Sequence, residues 1–209
     1  MATRAEVQGS DLSPAAQRIL AAADGLFFRQ GAAATTVREI TSACGLTPGA
    51  LYNHFESKDD LLFQLVMRRH LLIAAALEEA LATAPPQPAA RLEAAVRVYA
   101  RVHLRPAART GTRVANREYR CLSGTRLAQV VAVRRSLRDR LVEILEDGTA
   151  QGHFAVCGGR DRASLVVAAS TILEMCVQAA EWVREDGPLG VEALEDRFVE
   201  MARRLVGAR

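Results

Sequence analysis

The sequence predicts an all-α protein of about nine helices, with a helix-turn-helix head at the N-terminal end and a longer helical body after it. Three observations carry that expectation. Apolar residues recur at spacings of three and four through most of the 209 residues. No stretch shows the two-residue alternation of a strand, and no internal repeat is present. Pro, Gly and cap residues punctuate the chain at intervals suited to helices.

Residues 1–12 lack periodicity and read as a mobile arm. Ser13-Pro14 open the first helix, which buries Ile19, Leu20, Ala23, Leu26 and Phe27 and ends at Gly31. Thr36 caps a second helix, and Glu39, three residues on, completes a capping box. Val37 and Ile40 form its inner face. Gly45 sits where the turn needs a positive φ, and Leu46 plugs that turn into the core. Thr47 caps a third helix with Pro48 at its first position, where a missing N–H costs nothing. Leu51 and Phe55 face inward, leaving Pro48, Gly49, Ala50, Tyr52, Asn53 and His54 outward. Ser57 and Asp60 form another cap signature, opening a fourth helix from about Lys58 to Thr83.

The run Pro85-Pro86-Gln87-Pro88 stops that helix and marks a hinge. The expected organisation is therefore an arm (1–12), a helix-turn-helix domain (13–57), a connecting helix (58–84) and a body (85–209). Helical segments are expected in the body near 89–105, 111–121, 124–152, 161–185 and 191–207. Pro106, Ser123-Gly124, Cys157-Gly158-Gly159 and Gly187-Pro188 separate them.

Two short helices around a tight turn, the second polar on its outer face, fit a reader of the DNA major groove. Helix starts at Thr36 and Thr47 offer backbone N–H groups to phosphate. Tyr52, His54 and Lys58 have the reach for the DNA backbone, which fixes register without specifying sequence. Arg38, Gly49, Ala50 and Asn53 suit base edges, with Arg forking onto guanine and Asn onto adenine. A dimer placing two such helices one DNA turn apart, about 34–36 Å, implies a palindromic operator. The formal net charge of +3 is too small to argue for nucleic acid by itself.

On these residues the chain resembles the TetR-type transcriptional regulators. Gly31, Thr35-Thr36, Val37-Arg38-Glu39-Ile40, Cys44-Gly45-Leu46, Leu51-Tyr52-Asn53-His54-Phe55 and Lys58 match that family's N-terminal pattern over about residues 14–65. Thr41 and Cys44 stand where the family commonly has Ala. The resemblance implies a three-helix head, a six-helix regulatory domain, and repression relieved by a small molecule. It also implies that the last two helices form a four-helix bundle across a two-fold axis. The sequence accords with that: Val191, Leu194, Phe198, Met201 and Leu205 make an apolar seam, and the helix before it is apolar on nearly all sides. The expected dimer contacts are Ile172, Cys176, Val183, Leu194, Phe198, Met201 and Leu205.

Arg97, Arg101, Arg105, Arg109, Arg113 and Arg117 recur every four residues, and Arg120, Arg126, Arg134, Arg135, Arg138 and Arg140 follow. Only Glu118 and Asp139 oppose them between 97 and 140. The series reads either as an anion-attracting mouth or as a solvated face in an arginine-biased chain, in which Lys58 is the single lysine. Ala115-Asn116-Arg117-Glu118-Tyr119-Arg120, with Trp182-Val183-Arg184 and Gly187-Pro188-Leu189, is loosely similar to TetR proteins that sense acyl-CoA thioesters from lipid or sterol breakdown. That resemblance implies an effector held by Val98, Arg101, Val102, Arg105, Asn116, Arg117 and Arg120, opposed by Met175, Gln178, Ala179 and Trp182. A hydrophobic drug or signal is the alternative effector, and a ligand-independent DNA-binding protein a third reading.

Enzyme chemistry finds no support. His54, His70, His103 and His153 show no metal-ligand spacing, and Gly158-Gly159 follows no strand. No cofactor or metal is expected. Cys44, Cys121, Cys157 and Cys176 are scattered, as in free cytosolic thiols, so a cytoplasmic protein is expected. Glu174, Gln178 and Glu181 interrupt the most apolar stretch, which argues against a membrane span. Glu174 and Glu181 suit surface ion pairing better than acid–base catalysis.

Overall fold

The computed structural model describes residues 12–183 and 187–208, and of residues 106–109 the main chain only. The arm (all but Leu12) and Arg184 lie outside the described residues, as does the side chain of Arg109. Among the described residues there are nine α-helices: α1 (Pro14–Gln30), α2 (Val37–Ala43), α3 (Pro48–Tyr52), α4 (Lys58–Thr83), α5 (Pro88–Leu104), α6 (Pro106–Glu118), α7 (Gly124–Ala150), α8 (Arg162–Trp182) and α9 (Val191–Leu205). A 3-10 turn, Tyr119–Cys121, follows α6. The all-α expectation holds. Pro106, expected to separate helices, instead starts α6, where a residue without an N–H breaks no helical bond.

Packing divides the chain differently from a single cut at the Pro85 hinge. One unit comprises Met1–Leu72 with Thr110–Ala132, and the other Ile73–Arg109 with Val133–Arg209. The boundary falls inside α4 and α7, because each long helix contributes apolar residues to two separate cores. In the first unit, Ile19, Phe27, Ile40, Leu51, Phe55, Leu61 and Val66 pack with Val114, Leu122 and Val130. The second core gathers Ile73, Leu77, Leu92, Val96, Tyr99, Leu141, Leu145, Ile172, Cys176 and Phe198, with α5 packed on α8 and α9. By length and composition α8 could cross a membrane, but Leu165, Ala168, Ala169, Ile172, Cys176 and Ala179 are buried in this core.

Local chemistry explains the head. The Ser13 hydroxyl accepts from Ala16 N–H at 3.2 Å, and Gly31, at φ 82°, closes α1 by donating to Phe27 O. Thr36 and Glu39 form the reciprocal capping box on α2. After α2, Leu46 N–H donates back to Thr41 O at 2.8 Å, a wrap that needs the positive φ (67°) of Gly45. Buried Thr41 is accommodated because its hydroxyl donates to Val37 O and Arg38 O.

The expected dimer residues require correction. Ile172, Cys176, Val183, Leu194 and Phe198 are buried within their own subunit's core, so they offer no surface to a partner. Met201 is 43% exposed and Leu205 half-buried. The face that α8 presents outward is Val167, Thr171, Glu174, Gln178 and Trp182, with Val167 65% and Trp182 60% exposed.

Candidate nucleic-acid interface

The first unit holds the candidate DNA-reading surface. Leu51 and Phe55 anchor α3 from beneath, both at most 1% exposed. That leaves Thr47, Pro48, Gly49, Tyr52, Asn53 and His54 exposed and Ala50 half-buried, with Arg38 exposed on α2. Proline first, then Gly and Ala, leave little side-chain bulk on the outer start of α3, so main chain and neighbouring side chains can approach a base edge closely. His54 Nδ1 lies 3.4 Å from Ser13 Oγ, which relates the end of the reading segment to the start of α1.

Three side chains do something other than expected. Thr47 occupies the N-cap of α3 but makes no side-chain capping bond, leaving its exposed hydroxyl uncommitted among the described residues. Thr36 is committed: its N–H donates to Glu39 Oε2 at 2.7 Å and its hydroxyl serves the same carboxylate. Those bonds hold the Glu39 carboxyl below the usual carboxylate range, and they withdraw the Thr36 N–H from any phosphate. Lys58 is the third. Its ammonium donates to Ala32 O and Thr35 O, both at 2.7 Å, and reaches Ala33 O at 3.5 Å. It is a clamp on the α1–α2 loop rather than a free cation, because that loop turns three carbonyls toward one half-buried point.

Two further residues shape the interface and were not singled out for it by sequence. Glu118, at the end of α6, accepts from Ala32 N–H at 2.8 Å, so the α1–α2 loop is held by a carboxylate at its N–H and by Lys58 at its carbonyls. Arg126, in α7, pairs with Glu56 (2.9 Å), Asp59 (3.0 Å) and Asp60 (3.5 Å). This matters electrostatically: Glu56, Asp59 and Asp60 lie in the turn and first helical residues after His54, and without a cation they would repel a phosphate backbone. The sequence signal was the acidic run itself, which needed a partner, but nothing local shows that the partner lies about 70 residues away.

The expected effector residues are divided between the two units. Asn116, Arg117 and Arg120 belong to the first unit, the rest to the second. Arg120 lies over the Tyr119 ring. Arg101, rather than awaiting an anion, forms two hydrogen bonds with Glu195, whose side chain is 3% exposed. Val98, Val102 and Met175 pack against the second core, Ala179 is inside it, and Arg105 is exposed. Gln178 and Trp182 face outward, Trp182 meeting Phe198 edge-on. The arginine series is largely paired off: Arg97 with Glu93 and Asp196, Arg138 with Asp139, Arg140 with Glu78 and Glu143. Inside the second core Tyr99 carries a buried hydroxyl with no hydrogen-bond partner among the described residues, and burial raises its pKa.

Comparison with known proteins accords with this geometry. Residues 19–65 match the profile described as bacterial regulatory proteins, tetR family, and residues 85–206 the tetracyclin repressor-like C-terminal domain. The HTH-type regulator YerO of Bacillus subtilis is 50% identical over 46 residues, a match that spans 22% of this chain and only 16% of YerO. The transcriptional repressor KstR2 of Rhodococcus jostii is 25% identical over 191 residues, covering 84% of this chain and 83% of KstR2. A tetR-family regulatory protein from Rhodococcus RHA1 superposes with a TM-score of 0.84 at 30% identity, over 95% of this chain and all of that one (100%). AibR, solved with isovaleryl coenzyme A and operator DNA, shares the fold at a TM-score of 0.81 and 24% identity, over 93% of this chain and 100% of its own.

Proposed function

The chain belongs to the TetR family of bacterial regulatory proteins, and we propose that it is a homodimeric repressor that binds a palindromic operator and is released by an acyl-CoA thioester. The observation that carries the DNA-binding part is the exposed face of α2 and α3, with Arg38, Tyr52, Asn53 and His54 standing over a rigid Leu51–Phe55 anchor. Arg38, Gly49, Ala50 and Asn53 read bases, and Thr47, Tyr52 and His54 hold phosphates. Two heads one helical turn apart impose the palindrome. No catalytic role is assigned to any residue, and the protein works in the cytoplasm.

Dimerisation uses the outer face of α8, where Val167, Gln178 and Trp182 are exposed, together with Met201 of α9. Val167→Glu is expected to give a folded monomer by sedimentation, with operator affinity reduced. The effector binds the body, residues 85–209, and favours the DNA-incompetent arrangement, since a ligand shifts an equilibrium only by its differential affinity. Support for a thioester comes from a scaffold that in AibR accommodates isovaleryl coenzyme A. The unsatisfied Tyr99 hydroxyl offers a donor to an effector carbonyl.

One observation favours a hydrophobic drug or signal instead: Arg97, Arg101, Arg138 and Arg140 are already neutralised by carboxylates. Operator release decides between the two. The complex is titrated with acyl-CoA thioesters, their free acids and uncharged hydrophobes, at two salt concentrations because phosphate contacts are salt-dependent. A thioester effect of about 5–150-fold on operator affinity, with none from the acid, is the expected result. Release by uncharged hydrophobes alone would replace the thioester reading with the drug-type one.

A further inference from the structure

Helices α1 and α4 together line a cavity of about 350 Å³ within the first unit. Leu20 and Asp24 enter it from α1, and Leu65, Arg68, Arg69 and Leu72 from α4, each set at helical spacing and so on one helix face. We propose that this cavity binds a small apolar monocarboxylate. The charge pattern carries the proposal. Arg68 and Arg69 are half-buried, and neither makes an ion pair or hydrogen bond to a described residue. Asp24 is the carboxyl in the lining, and its Oδ1 is buried with no hydrogen-bond partner among the described residues. Burial raises the Asp24 pKa, Arg69 opposes that rise, and burial lowers Arg69 in turn. The two opposite charges therefore lose hydration without meeting. A carboxylate entering the cavity gives both guanidiniums an acceptor. It also favours the neutral form of Asp24, which takes one proton from solvent and donates it in a hydrogen bond to the newcomer.

The apolar lining sets the rest of the ligand. Leu20, Leu65 and Leu72 surround the charged groups, and Leu72 is 50% exposed, so a short methylene chain would cover apolar surface now open to water. A carboxylate without such a tail uses only part of the site. An ammonium is disfavoured, because two guanidiniums stand against one carboxyl. Location gives the site a consequence. The Arg69 guanidinium rests against Gly111 of α6, where a Cβ would overlap it. An occupant thus touches α1 and α4 directly and reaches α6 through Arg69. The cavity is built from residues before Ile73, apart from the effector proposed for residues 85–209, so either reading can fail without the other.

The test is methyl NMR titration of the full chain with hexanoate, hexanamide, hexylammonium and acetate. Hexanoate is expected to shift the methyls of Leu20, Leu65 and Leu72, and to bind more tightly than the amide, the amine or acetate. Arg69→Gln should weaken hexanoate about tenfold, as loss of one charged contact does. Asp24→Asn removes the opposing charge and keeps a donor, so it should bind hexanoate at least as tightly as the unaltered chain. Should circular dichroism show R69Q unfolded, Leu72→Glu at its exposed position takes its place, and the added charge should weaken hexanoate by a similar factor. Hexylammonium or acetate binding as tightly as hexanoate overturns the proposal. So does unchanged hexanoate affinity in folded R69Q or L72E, loss of binding in folded D24N, or the absence of shifts at those three leucines.

Discussion

Replacing Lys58 by Met separates a clamp from a DNA contact. The substitution keeps the aliphatic stem and deletes the ammonium. Two bonds at 2.7 Å are lost, to Ala32 O and Thr35 O, while the 3.5 Å approach to Ala33 O is too long to count for much. Hydrogen bonds from a charged donor contribute about 1.5–3 kcal/mol each, and a half-buried site belongs at the low end. Against roughly 3 kcal/mol for the pair stands about 1 kcal/mol of side-chain entropy regained. The expected loss is thus about 2 kcal/mol, or a fall in Tm of about 4–8 °C for a chain of this size. Urea and thermal unfolding followed by circular dichroism give the stability. Operator affinity against salt gives the number of phosphate contacts, each worth about 0.9 in the log–log slope. The clamp requires the stability loss with the slope unchanged. Unchanged stability with a slope reduced by about one would refute it and return Lys58 to the DNA backbone.

Arg126→Gln should weaken operator binding by uncovering Glu56, Asp59 and Asp60, and adding E56Q/D59N should restore much of it; fluorescence anisotropy with labelled operator reads both. Arg101→Met leaves the Glu195 carboxylate buried and unpaired, and because Arg101 itself is half-exposed the expected cost is about 2–3 kcal/mol in urea unfolding, below the full range for a buried pair. Gly148→Ala gains about 1 kcal/mol of helix propensity. Its Cβ, however, would overlap the buried Phe154 ring, so overpacking of about 1–3 kcal/mol should make the net change destabilising. Burial pushes the Cys176 thiol up to about 12, whereas Cys121 and Cys157 are exposed. Burial and the Glu118 carboxylate also raise the Cys121 thiol, so a thiol reagent at pH 8 should label Cys157 first, Cys121 more slowly and Cys176 only on unfolding.

The head was legible because its determinants are local. The Thr36–Glu39 capping box, the positive φ at Gly45 and the Leu51–Phe55 spacing each act within one or two turns, and each is found where the residues place it. The body was legible in most of its helix boundaries, the start of α6 at Pro106 excepted, but not in its faces. Helix α8 is apolar nearly all round, so helical periodicity carries no phase. Ile172 and Cys176 could then be assigned to a partner although they belong to the subunit's own core. The same ambiguity assigned Gln178 and Trp182 to an interior they do not occupy.

Sequence by itself determined that the chain is helical, where most helices begin and end, though not the start of α6, and which short segment can enter a DNA groove. Hydrogen bonds and steric limits three to five residues apart decide those things. Tertiary structure alone decided what the charges do. Lys58 finds carbonyls 23 to 26 residues back, Glu118 an N–H 86 residues away, and Arg101 a carboxylate 94 residues on. An arginine series reads the same in a sequence whether its members meet a ligand, a carboxylate or water. Only packing brings the partner within 3 Å and settles which, because an ion pair depends on distance in space and local patterning does not encode that distance.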